Sequence, residues 1–117
     1  MARDTRHLDF DSMRARAGEA ARLLKALANE QRLRVLCLLA EGEQSVGQLN
    51  ERVELSQSAL SQHLAKLREE GLVVTRREAQ SVYYALAPGP AGQVIATLHD
   101  IYCGPSAPLC ATPPRRR

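Results

Sequence analysis

The sequence predicts a mostly α-helical fold with one small β-hairpin, in the order ααααββα, and three observations carry that prediction. Leu60, Leu64 and Leu67 recur at helical spacing in the segment SQSALSQHLAKLREEGLV, so one face of a helix there is apolar. Gly71 suits the C-cap of that helix, and two β-branched runs follow, Leu72-Val73-Val74-Thr75 and Ser81-Val82-Tyr83-Tyr84, flanking a turn that carries Arg76, Arg77 and Gln80. Just upstream, Ser45-Val46-Gly47-Gln48 has the serine and glutamine spacing of a capping box, which opens a short helix to about Val53. Val46, Leu49 and Val53 give this short helix a packing stripe against the next one across a tight turn at Leu55 and Ser56. Together these segments describe a winged helix-turn-helix.

The remaining elements follow from the same periodicity. Met1 to about Phe10 is charged and irregular, so residues 1–10 are expected to form a loose N-terminus. Asp11 to Ala28 is a long amphipathic helix with Ala17, Ala20, Ala21, Leu24 and Leu27 gathered on one side. Asn29 caps a second helix, which runs through Ala40 with Leu33, Leu36, Cys37 and Ala40 as its expected buried stripe, and Gly42 ends it. After the hairpin, Pro88, Gly89 and Pro90 break the second strand, and a last helix covers about Ala91 to Cys103. Its stripe of Ala91, Val94, Ile95, Leu98, Ile101 and Tyr102 can dock on the chain's own core or on a second copy. The domain is therefore expected to span residues 11–104, with a disordered, proline-rich, arginine-ended tail at 105–117.

The outward face of the helix from Ser56 to Glu70 points to a function. Ser56, Gln57, Ser58, Ser61, Gln62 and Lys66 are short or hydrogen-bonding, a composition suited to a major groove, where amides and hydroxyls meet base edges and a lysine meets phosphate. In isolation the same face also fits a solvated surface helix. The hairpin beside it, with Arg76, Arg77 and Gln80, shifts the reading towards double-stranded DNA, because a cationic wing positions such a domain on the phosphate backbone. A homodimer would double these contacts and match a twofold operator.

Charge and composition limit the alternatives. The chain has 117 residues, enough for one domain with a modest core, and a single phenylalanine with no tryptophan makes that core aliphatic. Its net charge of +3 comes from 16 basic and 13 acidic residues, and Arg115, Arg116 and Arg117 alone account for the excess. DNA binding must then rest on local charge placement. Arg14, Arg16, Arg22, Lys25, Arg32 and Arg34 form one basic stretch, either a solvated face or a source of phosphate contacts. No apolar run approaches the roughly 20 residues needed to span a bilayer, and the N-terminus lacks the apolar core of a signal peptide, so a cytoplasmic location without membrane association is expected. No nucleophile and base pair, carboxylate pair or phosphate loop stands out, so enzymatic activity and a cofactor are not expected.

Three cysteines, an odd number, argue against a structural disulfide framework and leave core, metal or redox roles. Cys37, on the expected packed face of the second helix, reads by itself as a core thiol. Cys103 falls off the apolar stripe of the last helix, and Cys110 lies in the proline-rich tail. His63 reads as structural, His99 as a surface or interface histidine, and His7, in the loose N-terminus, has no assigned role.

The segments ALANEQRLRVLCLLAEGEQSVGQL and SQSALSQHLAKLREEGLV, with the hairpin after them, resemble the ArsR/SmtB family of bacterial winged-helix repressors over about nine tenths of the chain. Within it, LCLLAEGEQSVGQL, REAQSVYYAL and LHDIYC look most like the thiol-based branch, the HlyU, BigR and SqrR type. The resemblance implies a homodimer built from the first and last helices, a recognition helix from Ser56 to Glu70 and a wing that turns near Arg77 to Ser81. It also implies that Cys37 and Cys103 form a reactive pair. Reactive sulfur or another oxidant would bridge them and release operator DNA. The paired cysteines of the family's arsenic sensors have no counterpart at Ser45-Val46-Gly47-Gln48-Leu49, and of its zinc sensors' last-helix ligands only the adjacent His99 and Asp100 are available. Neighbours on a helix point about 100° apart and chelate poorly, so no metal site is expected there. Two alternatives stay open: an arsenite- or cadmium-responsive repressor that uses Cys37, Cys103 and Cys110 as thiolates, and a winged-helix module that binds protein instead of DNA.

Overall fold

The computed structural model describes residues 9–104. The ends expected to be irregular lie outside them, except Asp9 and Phe10, which cap and begin the first helix. The elements run α1 (Phe10–Leu27), α2 (Glu30–Ala40), β1 (Gln44–Ser45), α3 (Val46–Arg52), α4 (Gln57–Glu69), β2 (Val73–Glu78), β3 (Ser81–Leu86) and α5 (Pro90–Cys103). This is the winged helix-turn-helix that the periodicity predicts, with one addition. A two-residue strand, β1, pairs antiparallel with β3 and makes the hairpin a three-stranded sheet in the order β1-β3-β2. Two residues carry no alternation, so no pattern announced β1.

Local chemistry sets most of the boundaries. Asn29 caps α2 by accepting from the Arg32 N–H at 3.0 Å. The capping box of α3 is complete: Ser45 Oγ accepts from the Gln48 N–H at 3.1 Å, and Gln48 Oε1 accepts from the Ser45 N–H at 2.8 Å. Ser56 caps α4 by accepting from the Ala59 N–H at 3.1 Å. The end of α4 is a Schellman closure, in which the Leu72 N–H reaches the Leu67 carbonyl at 2.9 Å and the Gly71 N–H reaches Arg68 at 3.0 Å. Gly71 takes φ 76 to make it, a value that a side chain would strain. Because α3 has only seven residues and supports α4, its cap matters more than that of a longer helix. Ser45→Ala is expected to cost about 1 kcal/mol of unfolding free energy, read by urea titration.

The core lies between α2, α3, α4, α5 and the sheet. Val35, Leu36, Leu49, Leu60, Leu64 and Leu67 are fully buried there, with Ala91 and Ile95 of α5 closing one side. Two expected stripes differ from this arrangement. On α2 the buried residues are Val35, Leu36 and Leu39, whereas Leu33 is half-buried and Cys37 and Ala40 are exposed. Residues 35–40 of α2 are apolar all round, so two stripes sharing Leu36 fit the same period, and the helix turns the one with Val35 and Leu39 inward. On α1 only Ala26 and Leu27 are buried, while Ala17, Ala21 and Leu24 face solvent. Only the C-terminal part of the helix, from about Arg22 to Leu27, meets the body of the domain. Phe10 and Leu24 are 75% and 56% exposed. The α5 stripe is divided: Ala91 and Ile95 belong to the core, Val94 packs against it, and Ile101 and Tyr102 stand free.

The hairpin is longer than its sequence signal. Arg76 and Arg77 are residues of β2, paired with Tyr83 and Val82, and do not lie in the turn. The turn is the two-residue Ala79-Gln80, and its tightness holds Ala79 at φ 55.

Candidate nucleic-acid interface and thiol pair

Helix α4 offers the face that its sequence predicts. Leu60, Leu64 and Leu67 are buried, and Ser56, Gln57, Ser58, Ser61, Gln62 and Lys66 are exposed. Ser56 spends its hydroxyl on the helix cap, with Ser58 Oγ 3.4 Å away. Gln57, Ser61 and Gln62 make no side-chain hydrogen bond among the described residues, so their donors and acceptors are open to a partner. Lys66 keeps a loose ion pair with Glu70 at 3.6 Å. His63 is half-buried and accepts at Nδ1 from Arg32 Nε at 3.5 Å, which links α4 to α2 and fits the structural role expected of it.

The basic stretch of α1 and α2 divides in two. Arg14 pairs with Asp11, Arg16 with Glu19 and Arg34 with Glu30, so each is offset by a neighbour one turn away. Arg22, Lys25 and Arg32 instead meet Lys66 around an open cleft of about 400 Å³ whose one carboxylate is Glu70. Arg22 donates to Glu70 at 2.7 Å, and this hydrogen bond holds the Glu70 carboxyl below its usual range. The cluster stays net cationic beside the recognition helix, which gives a near-neutral domain a local positive surface.

On the wing, strand register separates the two arginines. Cross-strand partners share a face and successive residues alternate, so Arg76 and Tyr83 occupy one face while Arg77, Val82, Thr75 and Tyr84 occupy the other. Tyr84 lines a cleft with Ser61, Leu64 and Ala65 of α4, so the Arg77 face is the one turned to the recognition helix. Arg77 makes no ion pair among the described residues, and Gln80 is exposed at the tip. Arg76 lies on the far face with all three of its guanidinium nitrogens engaged, Nε and Nη2 on Glu43 at 2.9 and 2.8 Å and Nη1 on Glu78 at 2.9 Å.

Cys37 on α2 and Cys103 on α5 are both free and exposed, on two helices that pack together. Partial burial first, then the charges of ionised Cys103 and Glu41, push the Cys37 thiol above its ordinary value. Cys37 also borders a cleft of about 320 Å³ between the two helices, with Gly92, Ile95, Ala96, His99 and Asp100 on its α5 side. His99 is exposed, as expected of a surface or interface histidine, and stands one turn before Cys103 at i, i+4. Among the described residues, no three His, Cys, Asp or Glu side chains converge to hold a metal ion. Cys110, which the thiolate-metal reading needs, lies outside them. No helix among them is long and apolar enough to cross a membrane.

Comparison with known proteins agrees with this geometry. Residues 29–75, which cover α2, the helix-turn-helix and the start of the wing, match the model of the bacterial regulatory protein, arsR family. The chain is 52% identical over 96 residues to the transcriptional activator HlyU of Vibrio cholerae, covering 82% of this chain and 89% of that protein. It is 44% identical over 106 residues to the biofilm growth-associated repressor of Agrobacterium fabrum, covering 91% of each. The solved structure of reduced HlyU from Vibrio cholerae superposes with a TM-score of 0.74 at 54% identity, over 79% of this chain and 97% of that one. These relatives include the HlyU type to which the sequence motifs pointed, and they are regulators, not enzymes. The chain belongs to the ArsR family of bacterial DNA-binding transcriptional regulators.

Proposed function

We propose that this regulator binds a twofold operator as a homodimer while its cysteines are reduced, and leaves DNA when Cys37 and Cys103 are bridged. The observation that carries the reading is the placement of two exposed thiols on packed helices, with Cys103 among the groups that raise the Cys37 thiol. The chemistry balances with a single effector class. A thiolate of Cys37 attacks the sulfane sulfur of a persulfide RSSH and becomes Cys37–SSH, with RSH leaving; Cys103 then attacks Cys37 Sγ, a disulfide forms and H₂S departs. With a peroxide, Cys37 becomes a sulfenic acid and Cys103 displaces water. A disulfide needs Cα atoms within about 7 Å, whereas bridges of three or four sulfurs reach further, so the separation of the helices selects the oxidant.

Release follows from where the bridge acts. The exposed apolar residues Phe10, Met13 and Leu24 on α1 and Ile101 and Tyr102 on α5 support a dimer formed by these two helices. A bridge between α2 and α5 would shift α5 against the body that carries α4, and so change the spacing of the two recognition helices. Whether the regulated genes are thereby induced or silenced depends on the promoter, and relatives bear both activator and repressor in their names. The direct test treats reduced protein with a persulfide donor, peroxide or arsenite and follows intact mass and DNA binding on the same samples. Loss of binding together with a Cys37–Cys103 bridge supports the proposal. Stoichiometric metal uptake with release would favour the thiolate-metal reading instead.

On DNA, Ser58 and the open side chains Ser61 and Gln62 read bases, Ser56 and Gln57 approach at the start of the helix, and Lys66, Arg77 and Gln80 hold the backbone. Two substitutions separate these roles. Gln62→Ala is expected to relax sequence preference at a cost of roughly 1–3 kcal/mol, whereas Arg77→Ala is expected to weaken all duplexes and lower the salt slope by about one per subunit. Equal losses for both variants on specific and random DNA would refute the assignment.

A further inference from the structure

The wing has a fastening that its sequence does not advertise. Glu43, Arg76 and Glu78 meet over Tyr83 on the outer face of the sheet. Arg76 chelates the Glu43 carboxylate with Nε and Nη2, reaches Glu78 with Nη1, and lies 4.7 Å from the centre of the Tyr83 ring. Register explains why these groups converge. Ser45 and Arg76 both pair with Tyr83, so they share its face, and Glu43, two residues before Ser45, falls on the same side. The cluster therefore spans all three strands, from the segment entering β1, across β3, to β2. It also fastens the weakest pairing in the sheet, since β1 contributes only two residues. The Glu43 carboxyl is held below its usual range chiefly by its hydrogen bonds with Arg76.

We propose that Arg76 is a wing-positioning residue, clamped by Glu43, and not a phosphate ligand. For Arg76 to reach a phosphate it would have to give up two carboxylates and an aromatic face, while Arg77 stands on the α4 side with no such ties. An exposed ion pair by itself contributes little, but a bidentate pair with a second carboxylate and a ring acts as a network. The clamp also has an address. Glu43 lies in the segment that leaves α2, where Glu41 pairs with Arg52 of α3 at 3.0 Å, so the wing is tied to the end of the helix that carries Cys37.

The inference rests on the wing meeting DNA, and the experiment keeps the two apart. Full-length reduced protein is measured against a duplex recovered from a random pool by the wild type, over a range of salt, together with hydrogen exchange of the wing amides. Glu43→Gln removes a negative charge near the DNA, so if Arg76 were a phosphate ligand held back by Glu43, binding would tighten. The clamp predicts the opposite sign. Glu43→Gln and Arg76→Ala should each weaken binding by about fivefold, the double variant no more than Arg76→Ala alone, and neither should change the salt slope. Exchange of the Arg77 to Val82 amides should quicken in all three. Tighter or unchanged binding of Glu43→Gln, or a salt slope lowered by about 0.9 per subunit in Arg76→Ala, overturns the proposal. Should Arg77→Ala leave affinity and slope untouched, the wing's part in DNA binding fails, and the clamp then stands or falls on the exchange rates.

Discussion

Replacing either Cys37 or Cys103 with serine is expected to leave the DNA binding of the reduced regulator intact and to abolish its release by persulfide donors. Each substitution exchanges one exposed sulfur for an oxygen of similar size, so the fold and the α4 face should be untouched, whereas a bridge needs both sulfurs. Cys110→Ser should keep the response, and reductant should restore binding to treated wild type, which separates a bridge from overoxidation to sulfinic acid. The pH dependence has a definite sign. Because burial, then Cys103 and Glu41, raise the Cys37 thiol, its thiolate fraction at a given pH should be smaller than that of an unperturbed cysteine, and its alkylation rate should still climb with pH where an unperturbed cysteine has levelled. Glu41→Gln removes one of these charges and should shift that profile towards lower pH. If either single variant still leaves DNA on treatment, or if released protein carries no Cys37–Cys103 bridge, the thiol-pair mechanism is wrong.

The helix-turn-helix was legible because its signals are local. A serine three residues before a glutamine, three leucines at helical spacing and a glycine after the last of them each act within one or two turns of chain, and the structure uses all of them as their chemistry suggests. What depended on distant parts of the chain was not legible. Cys37 falls on the helically spaced stripe of Leu33, Leu36, Cys37 and Ala40, but residues 35–40 are apolar all round, and packing against α4, α5 and the sheet turns Val35 and Leu39 inward. The alanine stripe of α1 predicted burial, yet in the single chain it has almost nothing to pack on. Arg76 and Arg77 are adjacent and chemically identical, so composition treated them alike. The alternation of β2 sends them to opposite faces, and a glutamate 33 residues away engages one of them. That His99 borders the same cleft as Cys37 likewise depends on how α5 packs against α2.

Ile101→Glu is expected to give a folded monomer that no longer holds its operator. Ile101 is 51% exposed in the single chain, so a carboxylate there removes no core contact and costs the protomer little, and circular dichroism should be unchanged. If α1 and α5 form the dimer, the same carboxylate would enter an apolar interface without a partner, a desolvation that association cannot offset. Dimerisation should fail in sedimentation at concentrations where the wild type is paired. Operator affinity should fall by more than about a hundredfold, because a monomer reads one half-site and loses the effective concentration that the second provides. Leu24→Glu on α1, at 56% exposure, probes the other side of the proposed interface and should behave alike. The contrast with the wing variants is diagnostic. Arg77→Ala should weaken DNA binding without changing sedimentation, whereas Ile101→Glu should change both together, with the oligomeric state as the cause. An Ile101→Glu protein that sediments as a dimer and binds DNA as the wild type does would place the interface elsewhere and leave the apolar end of α5 without an occupant.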